Sequence, residues 1–361
     1  MKAIPSTLLY ISLFFIALLT ISPISAWEIN PDGDYNIVLD MTDYESIVPV
    51  EITSLGSLDP FGTQLVFVLD ALDVLTSANF GPADYEIIRS LYPQFDTPFV
   101  THYGKKVNVE ELLTTYPDVA IGRYGVDDSV NTPVRDADIP VVVTYVESPE
   151  LLIASANMLG TILGKETEAT AFEAYFRGVM DDLKSQTDSI PEDERLVVYM
   201  TKSDPLNTFD AEQYQTSMIE IAGASSASVD VSGGEVTINI EQLYLWDPDV
   251  IVLAPYCSAS IGDIMADSQW QTLRAVENGA VYRLPKYLAS WDLPIPESIL
   301  GMIWLAQTLY PEDIDFDIET EIVDFYKTFY GLDIDAETLD FILTDTKQVN
   351  TGVAQEKQDR V

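Results

Sequence analysis

The sequence predicts an α/β protein made of two Rossmann-like lobes that are joined by a single long helix. Three observations support this fold class: a pattern that occurs twice, apolar strands that alternate with helical segments, and a helical block between two such regions. The pattern spans 108–119 and again 239–250, where Asn, Glu, Leu, Pro, Asp and Val recur at the same spacing. Two copies of one unit indicate two lobes of like construction, and a cleft between lobes is a common ligand site.

Each copy of the pattern has the features of a short helix that leads into a buried strand. Asn108 and Asn239 are suited to cap a helix N-terminus, and Glu110 and Glu241 fall in the first turn, where the helix dipole favours a carboxylate. A Pro-Asp pair then ends each helix ahead of an apolar run. The alternative is a chance similarity between two common helix-to-strand turns.

The elements before the helical block predict a mainly parallel sheet, because strand-like runs alternate with a helical stretch. The predicted strands are 36–41, 50–55, 97–101 and 139–146, and the predicted helix is 63–72.

The helical block that follows contains no strand signal. Ser148, Pro149 and Glu150 form a helix start, and Gly164 is suited to end that helix. Thr167 is then expected to cap a second helix that continues to about Gln186 and has a length of roughly 30 Å. A helix of this length makes a rigid strut between two lobes.

The second lobe repeats the alternation, with strands at 196–200, 250–253 and 281–282 and a helix at 296–309. The predicted division of the chain is a leader at 1–26, a first α/β lobe at 27–147, a helical bridge at 148–190, a second α/β lobe at 191–346 and a polar tail at 347–361.

The charge of the chain excludes one class of partner. It has 59 acidic and 18 basic residues and a net charge of −41, so nucleic acid is not expected to bind and anionic membranes are disfavoured. Hydrophobic residues make up 47% of the chain, which indicates a folded protein and not a disordered acidic chain.

The first residues have the pattern of an export signal. Lys2 precedes a short apolar run at 8–21, and Ser25-Ala26 offers a cleavage point, although Ile24 makes that point imperfect. The protein is therefore expected in the periplasm or on the extracellular face of the cytoplasmic membrane. It would contact the membrane through a transporter or through an uncleaved N-terminal anchor.

The chain has one cysteine and one histidine, Cys257 and His102. Zinc sites usually draw on several such side chains, so no metal bound directly by the protein and no cofactor are expected. A Ser-His-Asp triad would depend wholly on His102, and no Gly-x-Ser-x-Gly motif accompanies it. Cys257 has no partner for an intramolecular disulfide and is expected to be buried.

Several second-lobe motifs resemble a known family. These are Ala222-Gly223-Ala224, the segment Trp246 to Val250, the segment Ala275 to Tyr282, and Trp291-Asp292. The chain resembles the substrate-binding proteins of ABC importers whose lobes are joined by one helix, with the class III periplasmic-binding-protein fold. That group captures ferric siderophores, haem and cobalamin. One departure is Thr63-Gln64, where members often have Thr-Glu.

The resemblance implies a role for the repeated glutamates. In the cobalamin and siderophore binders each lobe presents one such Glu, and the pair docks onto Arg residues of the permease. By motif these positions are Glu110 and Glu241 here. Two carboxylates, one on each lobe, suit charge-assisted pairing with a symmetric partner. The alternative is that both are merely favourable first-turn acids.

The resemblance also implies a ligand site between the lobes, on loops at strand ends. The candidates are His102, Tyr103, Arg123, Tyr124, Lys202, Asp204, Tyr256, Trp291 and Asp292. Aromatic rings mixed with a few charges suit a large, partly apolar chelate. Core packing is the alternative for Trp291, a surface ion pair for Arg123, and a hydrogen-bonded surface loop position for His102.

The expected function is capture of an iron chelate of the siderophore type and its delivery to an ABC permease and its ATPase, without catalysis. A cobalamin or other corrinoid receptor or a haem receptor of the same class is the alternative. Two hypotheses belong to other classes: a metal-cofactor enzyme or electron-transfer protein on the related chelatase-like fold, and a structural cell-surface protein.

Overall fold

The computed structural model describes residues 27–96, 99–104, 106–234, 236–344 and 346. The predicted leader at 1–26 and the predicted tail at 347–361 lie outside the described residues. In the described part of the chain, no helix combines the length and the apolar character that crossing a membrane requires.

Strands and helices alternate along most of the described chain. The strands are β1 (Glu28–Asp32), β2 (Tyr35–Leu39), β3 (Glu45–Pro49), β4 (Leu55–Ser57), β5 (Leu75–Asn79), β6 (Val100–His102), β7 (Val119–Arg123), β8 (Val141–Thr144), β9 (Val197–Met200), β10 (Asn207–Thr208), β11 (Ser225–Ser226), β12 (Val236–Thr237), β13 (Val250–Leu253) and β14 (Val281–Arg283). The α-helices are α1 (Pro60–Val68), α2 (Pro82–Leu91), α3 (Val109–Leu113), α4 (Thr132–Arg135), α5 (Pro149–Leu163), α6 (Glu166–Thr187), α7 (Tyr214–Ile221), α8 (Ile240–Trp246), α9 (Ile261–Ala266), α10 (Arg274–Glu277), α11 (Ser298–Leu309), α12 (Ile318–Tyr330) and α13 (Ala336–Leu343).

Two parallel sheets form the cores of the two lobes. The first has the strand order β6-β5-β4-β7-β8 and the second has the order β11-β9-β13-β14. All paired strands within each of these sheets are parallel, so their carboxyl ends lie along one edge. The predicted α/β fold with two lobes is confirmed. Loops at the carboxyl edge of such a sheet are where ligands usually bind.

The helical block between the sheets begins as predicted. The Ser148 side chain caps α5 by accepting the backbone N–H of Leu151 at 3.2 Å, and Gly164 ends α5 in the left-handed conformation. The prediction that Thr167 caps the next helix is wrong, because α6 begins at Glu166 with Lys165 in the cap position. The turn at Gly164 is tight enough that the backbone N–H of Lys165 bonds back to Gly160 at 2.7 Å.

The long helix α6 packs on both lobes. It has 22 residues, which corresponds to roughly 33 Å. Its buried face includes Phe172, Phe176 and Leu183, and it lies against α5 and α1 on one side and α7 and α11 on the other. Helix α12 makes a second connection, because Tyr330 in α12 receives a hydrogen bond from Tyr92 at 2.8 Å.

An antiparallel meander, β1-β2-β3, precedes the first parallel sheet. Asp40 and Ser46 hold it against β8, where the Asp40 carboxylate accepts the N–H of Val143 at 2.9 Å and the Ser46 hydroxyl donates to the Val141 carbonyl at 2.8 Å. The predicted strand at 50–55 is wrong. That segment connects the meander to β4. The N–H groups of Thr53 and Ser54 donate to the Asp118 carboxylate and not to a neighbouring strand.

The repeated pattern has the same hydrogen bonds in both lobes. Asn108 caps α3 by accepting the N–H at position 111 at 3.3 Å, and Asn239 caps α8 by accepting the N–H at position 242 at 2.8 Å. The following leucines, Leu112 and Leu243, are fully buried.

The end of the pattern is also equivalent in the two lobes. Tyr116 and Asp247 occupy matching positions after the two helices, and both have a left-handed backbone, with φ of 50° and 39°. Asp118 accepts the N–H groups of Thr53 and Ser54 ahead of β4, and Asp249 accepts the first N–H of β9 at 2.9 Å. The Asn, Leu and Asp of the pattern therefore build the fold of each lobe.

Candidate functional site

Arg123 is the last residue of β7, at the carboxyl edge of the first sheet. The side-chain amide of Asn131 holds its backbone, accepting the Arg123 N–H at 2.9 Å and donating to its carbonyl at 2.7 Å. Gly122 makes room for this contact, because a Cβ at that position would lie 2.8 Å from the Asn131 side-chain oxygen. The guanidinium is half-buried and donates to the Gly104 carbonyl at 3.4 Å.

Asp59 lies in front of α1, at the same edge of the sheet. It caps that helix, with Oδ2 accepting the N–H of Gly62 at 3.0 Å. Its side chain is buried, and burial raises the pKa of the carboxyl to about 6 against the lowering effects of the Gly62 N–H and the Arg123 charge. Within the described residues, the buried Asp59 Oδ1 and the buried Thr144 hydroxyl of β8 have no partner at ordinary hydrogen-bond geometry, although the Thr144 hydroxyl is close enough to lower the pKa of Asp59.

Aromatic rings surround this part of the first lobe. Tyr124 stacks on Tyr145 with ring centroids 4.0 Å apart, and both Tyr124 and Tyr103 are exposed. His102, the last residue of β6, is buried, and burial lowers the pKa of its imidazole, which Glu111 partly opposes. This imidazole is therefore neutral at neutral pH.

The second lobe also contributes a base, a tyrosine and a buried aspartate. Lys202 follows β9, and its ammonium nitrogen lies 5.0 Å from the centre of the Phe209 ring. Asp292 is fully buried, its Oδ2 accepts the Tyr256 hydroxyl at 2.7 Å, and its backbone carbonyl accepts the Gln215 side chain at 2.7 Å.

Burial raises the pKa of Asp292 to about 6, while the hydrogen bond from Tyr256 and the charge of Lys202 lower it. The Tyr256 hydroxyl has a raised pKa for the same reason, burial, to which the Asp292 charge adds. Asp292 Oδ1, like Asp59 Oδ1, has no hydrogen-bond partner in the part of the chain that the structure describes.

Charged groups of the two lobes act on one another across the cleft, which we define as the space between the carboxyl edges of the two parallel sheets. Glu147 follows β8 in the first lobe, and burial raises the pKa of its carboxyl. Two charges of the second lobe also act on it: Lys202 lowers this pKa and Asp210 raises it. The backbone N–H of Tyr214, at the start of α7, also lowers the pKa of Glu147. The two edges therefore face each other.

Not all of the predicted site residues lie at the cleft surface. Trp291 is fully buried and its ring N–H donates to the Tyr326 hydroxyl at 3.4 Å, which favours the core-packing alternative. Asp204 is exposed and its carboxylate accepts the N–H of Leu206 at 3.0 Å, which closes a turn. The alternative for His102, an exposed loop position, does not agree with its burial at the end of β6.

Sequence reasoning missed three polar groups at the cleft: Asp59, Tyr145 and Glu147. The Asp-Pro pair at 59–60 is a standard signal for a helix start, with an acidic cap followed by proline in the first turn. Tyr145 and Glu147 follow β8 in the same way that Tyr124 follows β7. The strand-end rule that identified Arg123 would therefore also have identified them.

A second concave region lies at the opposite, amino-terminal edge of the first sheet. It is a groove of about 1450 Å³ whose lining includes Phe67, Phe95, Phe329 and Lys165. Among the described residues that line it, none is a predicted ligand contact. No group of three or more His, Cys, Asp or Glu side chains in the described part of the chain could hold a metal ion.

Two parallel-sheet lobes, one long connecting helix and a charged cleft are the architecture of a solute receptor. The chain belongs to the periplasmic binding protein family, whose family model matches residues 58–288. It is a substrate-binding protein of an ABC importer, and proteins of this kind work with an ABC permease and its ATPase.

The relatives include the molybdate-binding protein MolA of Haemophilus influenzae, which is 25% identical over 322 residues, covering 81% of this chain and 90% of MolA. The structure of MolA bound to molybdate has a TM-score of 0.74 at 22% identity and covers 83% of this chain and 99% of that one. A periplasmic solute binding protein from Veillonella parvula has a TM-score of 0.73 at 24% identity, covering 85% of this chain and 96% of that one.

Proposed function

We propose that this protein captures an anionic metal compound in the cleft and delivers it to its permease. One observation carries the proposal: each lobe contributes a base near the carboxyl end of a strand, Arg123 at β7 and Lys202 after β9. Arg283, which ends β14, instead donates to backbone carbonyls of its own lobe. Bases are scarce in a chain with 18 basic and 59 acidic residues. A base from each lobe suits an anion that contacts both lobes at once.

A tetrahedral oxyanion such as molybdate is the first candidate ligand. The relative MolA is described as molybdate-binding, which supports this candidate for a chain that is 25% identical to it over 322 residues. Two bases and several tyrosine hydroxyls offer hydrogen-bond donors, and an oxyanion accepts from all of them.

An iron chelate, as the sequence predicts, is the second candidate. It is favoured by exposed aromatic rings near the two bases: the side chains of Tyr103, Tyr124 and Tyr256 are 66%, 49% and 40% exposed. Exposed rings of this kind suit the apolar scaffold of a chelate better than they suit a small oxyanion.

Calorimetric titration of the purified protein with two panels tests the proposal. One panel contains molybdate, tungstate and sulfate, and the other contains ferric siderophores, haem and cobalamin. We expect molybdate, tungstate or an anionic ferric siderophore to bind, and we expect Arg123→Ala and Lys202→Ala each to weaken that binding about ten- to hundredfold, the loss of a charge-assisted hydrogen bond.

Arg177→Ala is the matched control. It removes one base from α6, where Arg177 pairs with Glu173 at 2.7 Å, and should leave the affinity unchanged. Unaltered affinity in both cleft variants would contradict the assignment of the cleft. Tight binding of a free divalent cation, with no binding from either panel, would contradict the anionic class of ligand.

The resemblance assigns Glu110 and Glu241 to docking on the permease, and the structure supports this role. Both side chains are exposed, and in the described part of the chain neither makes a hydrogen bond or an ion pair. Exposed apolar side chains lie on the same two helices or just after them: Leu113, Tyr116, Tyr244 and Leu245. An acidic group beside apolar surface on each lobe suits a partner with matching basic and apolar contacts.

The proposed location follows from the predicted export signal and from the family. The protein would work outside the cytoplasmic membrane, in the periplasm or on the outer face of that membrane, as a binding component without catalytic activity. Processing of the leader can be tested by determining the N-terminus of the protein purified from the cells that produce it.

We expect ligand binding to leave the relative position of the lobes nearly unchanged, because α6 and α12 each pack on both lobes. Small-angle X-ray scattering with and without saturating ligand should give the same radius of gyration. A clear fall in this radius on ligand addition would show a hinge closure and contradict the role of α6 as a rigid strut.

A further inference from the structure

A buried carboxyl group lies near each of the two cleft bases. In the first lobe Asp59 is influenced by the charge of Arg123, and in the second Asp292 is influenced by the charge of Lys202. Each carboxyl is fixed through one oxygen, by the N–H of Gly62 and by the Tyr256 hydroxyl respectively. The other oxygen of each has no hydrogen-bond partner among the described residues.

This arrangement is unfavourable for two carboxyl groups that are permanently ionised. A buried carboxylate normally has all of its oxygens hydrogen-bonded, because an unpaired buried charge is costly. A neutral carboxylic acid needs fewer partners. Burial raises the pKa of both carboxyls above that of an ordinary aspartate, and a change in nearby charge can shift it further.

We propose that Asp59 and Asp292 determine the charge of the ligand that the cleft accepts, by taking up protons when an anion binds at Arg123 and Lys202. The inference rests on the proposed capture of an anion. While ionised, each carboxylate neutralises the base beside it. Once protonated, it leaves the positive charge of that base to the ligand.

The coupling must act in both directions. An anion that binds near an ionised carboxylate repels it and raises its pKa, so the protonated form of the protein binds the anion more tightly. Around Asp59 the acting groups are Arg123, the Thr144 hydroxyl and the first N–H groups of α1.

Around Asp292 the acting groups are Lys202 and Tyr256. Lys202 also acts on Glu147, which Asp210 influences in turn. Burial raises the pKa of Glu147 as well.

The pH range of the effect follows from the free protein. With a pKa of about 6, Asp59 and Asp292 are each protonated in half of the molecules at pH 6 and in about one molecule in a hundred at pH 8. If the protonated form alone binds, affinity for an anion falls roughly fiftyfold for each carboxyl between these pH values. Molybdate and sulfate keep their charge over this range, so the change would belong to the protein.

The test is calorimetry at pH 7 in buffers with different heats of ionisation, which measures the protons taken up on binding. The probes are molybdate and an anionic ferric tricatecholate. We expect uptake approaching one proton for each carboxyl. Asp59→Asn and Asp292→Asn keep a side-chain oxygen for the existing hydrogen bonds, and each should remove about one proton of uptake and flatten the pH dependence.

Asp317→Asn is the control, because Asp317 is an exposed aspartate that caps α12 as Asp59 caps α1. It should leave both proton uptake and pH dependence unchanged. Anion binding by the unaltered protein without proton uptake would overturn this inference and leave the proposed function intact. Failure of every anion of the two panels to bind would instead overturn the proposed function.

Discussion

Replacing Glu110 and Glu241 together with alanine should abolish uptake of the ligand and stimulation of the transporter's ATPase, while ligand affinity stays unchanged. Each lost charged pair at an interface costs about 2–5 kcal/mol, and the two losses fall on one docking surface. The fold should lose little, because removing an exposed first-turn acid costs about 0.3–1 kcal/mol. Uptake, ATPase activity, ligand affinity and melting temperature measured on one preparation separate these effects.

The structure separates the glutamates of the pattern from the residues of the pattern that build the fold. Asn108 and Asn239 cap their helices, and the leucines that follow are buried. The glutamates between them are exposed and take no part in these bonds. Glu110 and Glu241 recur in the pattern but make no hydrogen bond or ion pair within the described structure, so we expect them to contact a partner.

The matched control is the double variant Glu166→Ala and Glu319→Ala, which removes two exposed first-turn acids from α6 and α12. It gives the same change in net charge and should transport normally. If ligand affinity collapses in the Glu110 and Glu241 variant, these carboxylates belong to the pocket. If transport is normal in that variant, the repeat serves folding alone.

Local signals in the sequence were sufficient to predict much of the fold. Ser148 and Gly164 mark the two ends of α5 because capping depends on neighbouring backbone groups. The meander β1-β2-β3 could not be predicted in the same way. Its position depends on Asp40 and Ser46, whose partners in β8 are about a hundred residues away along the chain.

A position at the carboxyl edge of a sheet was predictable from periodicity where the residue directly follows an apolar strand. Arg123 ends a five-residue strand, so its position at the cleft could be inferred. Asp59 follows β4, which is three residues long and contains a glycine, and this strand has no apolar run to mark it. Trp291 and Asp292 lie in an irregular loop, where no periodicity tells a core side chain from a surface one.

The buried acid Glu297 should make the stability of this protein fall as the pH rises. It lies beside the first residue of α11, fully buried, and its carboxyl accepts a hydrogen bond from Tyr326. Burial raises its pKa to about 8, while the Tyr326 hydroxyl and the N–H groups of Leu288 and Ala289 lower it. The folded protein therefore holds a proton that the unfolded chain has already lost above an ordinary pKa of 4.5.

The sign of the effect follows from this difference. Stability from the protonated Glu297 is fully present below pH 4.5 and is lost as the pH rises towards 8, a total of about 5 kcal/mol, of which roughly 2 kcal/mol falls above pH 6.5. The range above pH 6.5 is the most informative. Asp59 and Asp292, with pKa values of about 6, have largely titrated there, and the lowered pKa of His102 gives an opposite effect only at lower pH.

Glu297→Gln should therefore lose less stability than the unaltered protein between pH 6.5 and 8, measured by urea unfolding at several pH values. Glutamine cannot ionise, and it keeps an oxygen that can accept the Tyr326 hydrogen bond. Glu319→Gln, at an exposed position on α12, is the control and should lose as much stability as the unaltered protein. Equal losses in all three proteins would mean that Glu297 already ionises in the folded state at pH 6.5. Tyr326→Phe gives an independent check, because removing the hydroxyl that favours the ionised form should extend the loss of stability to higher pH.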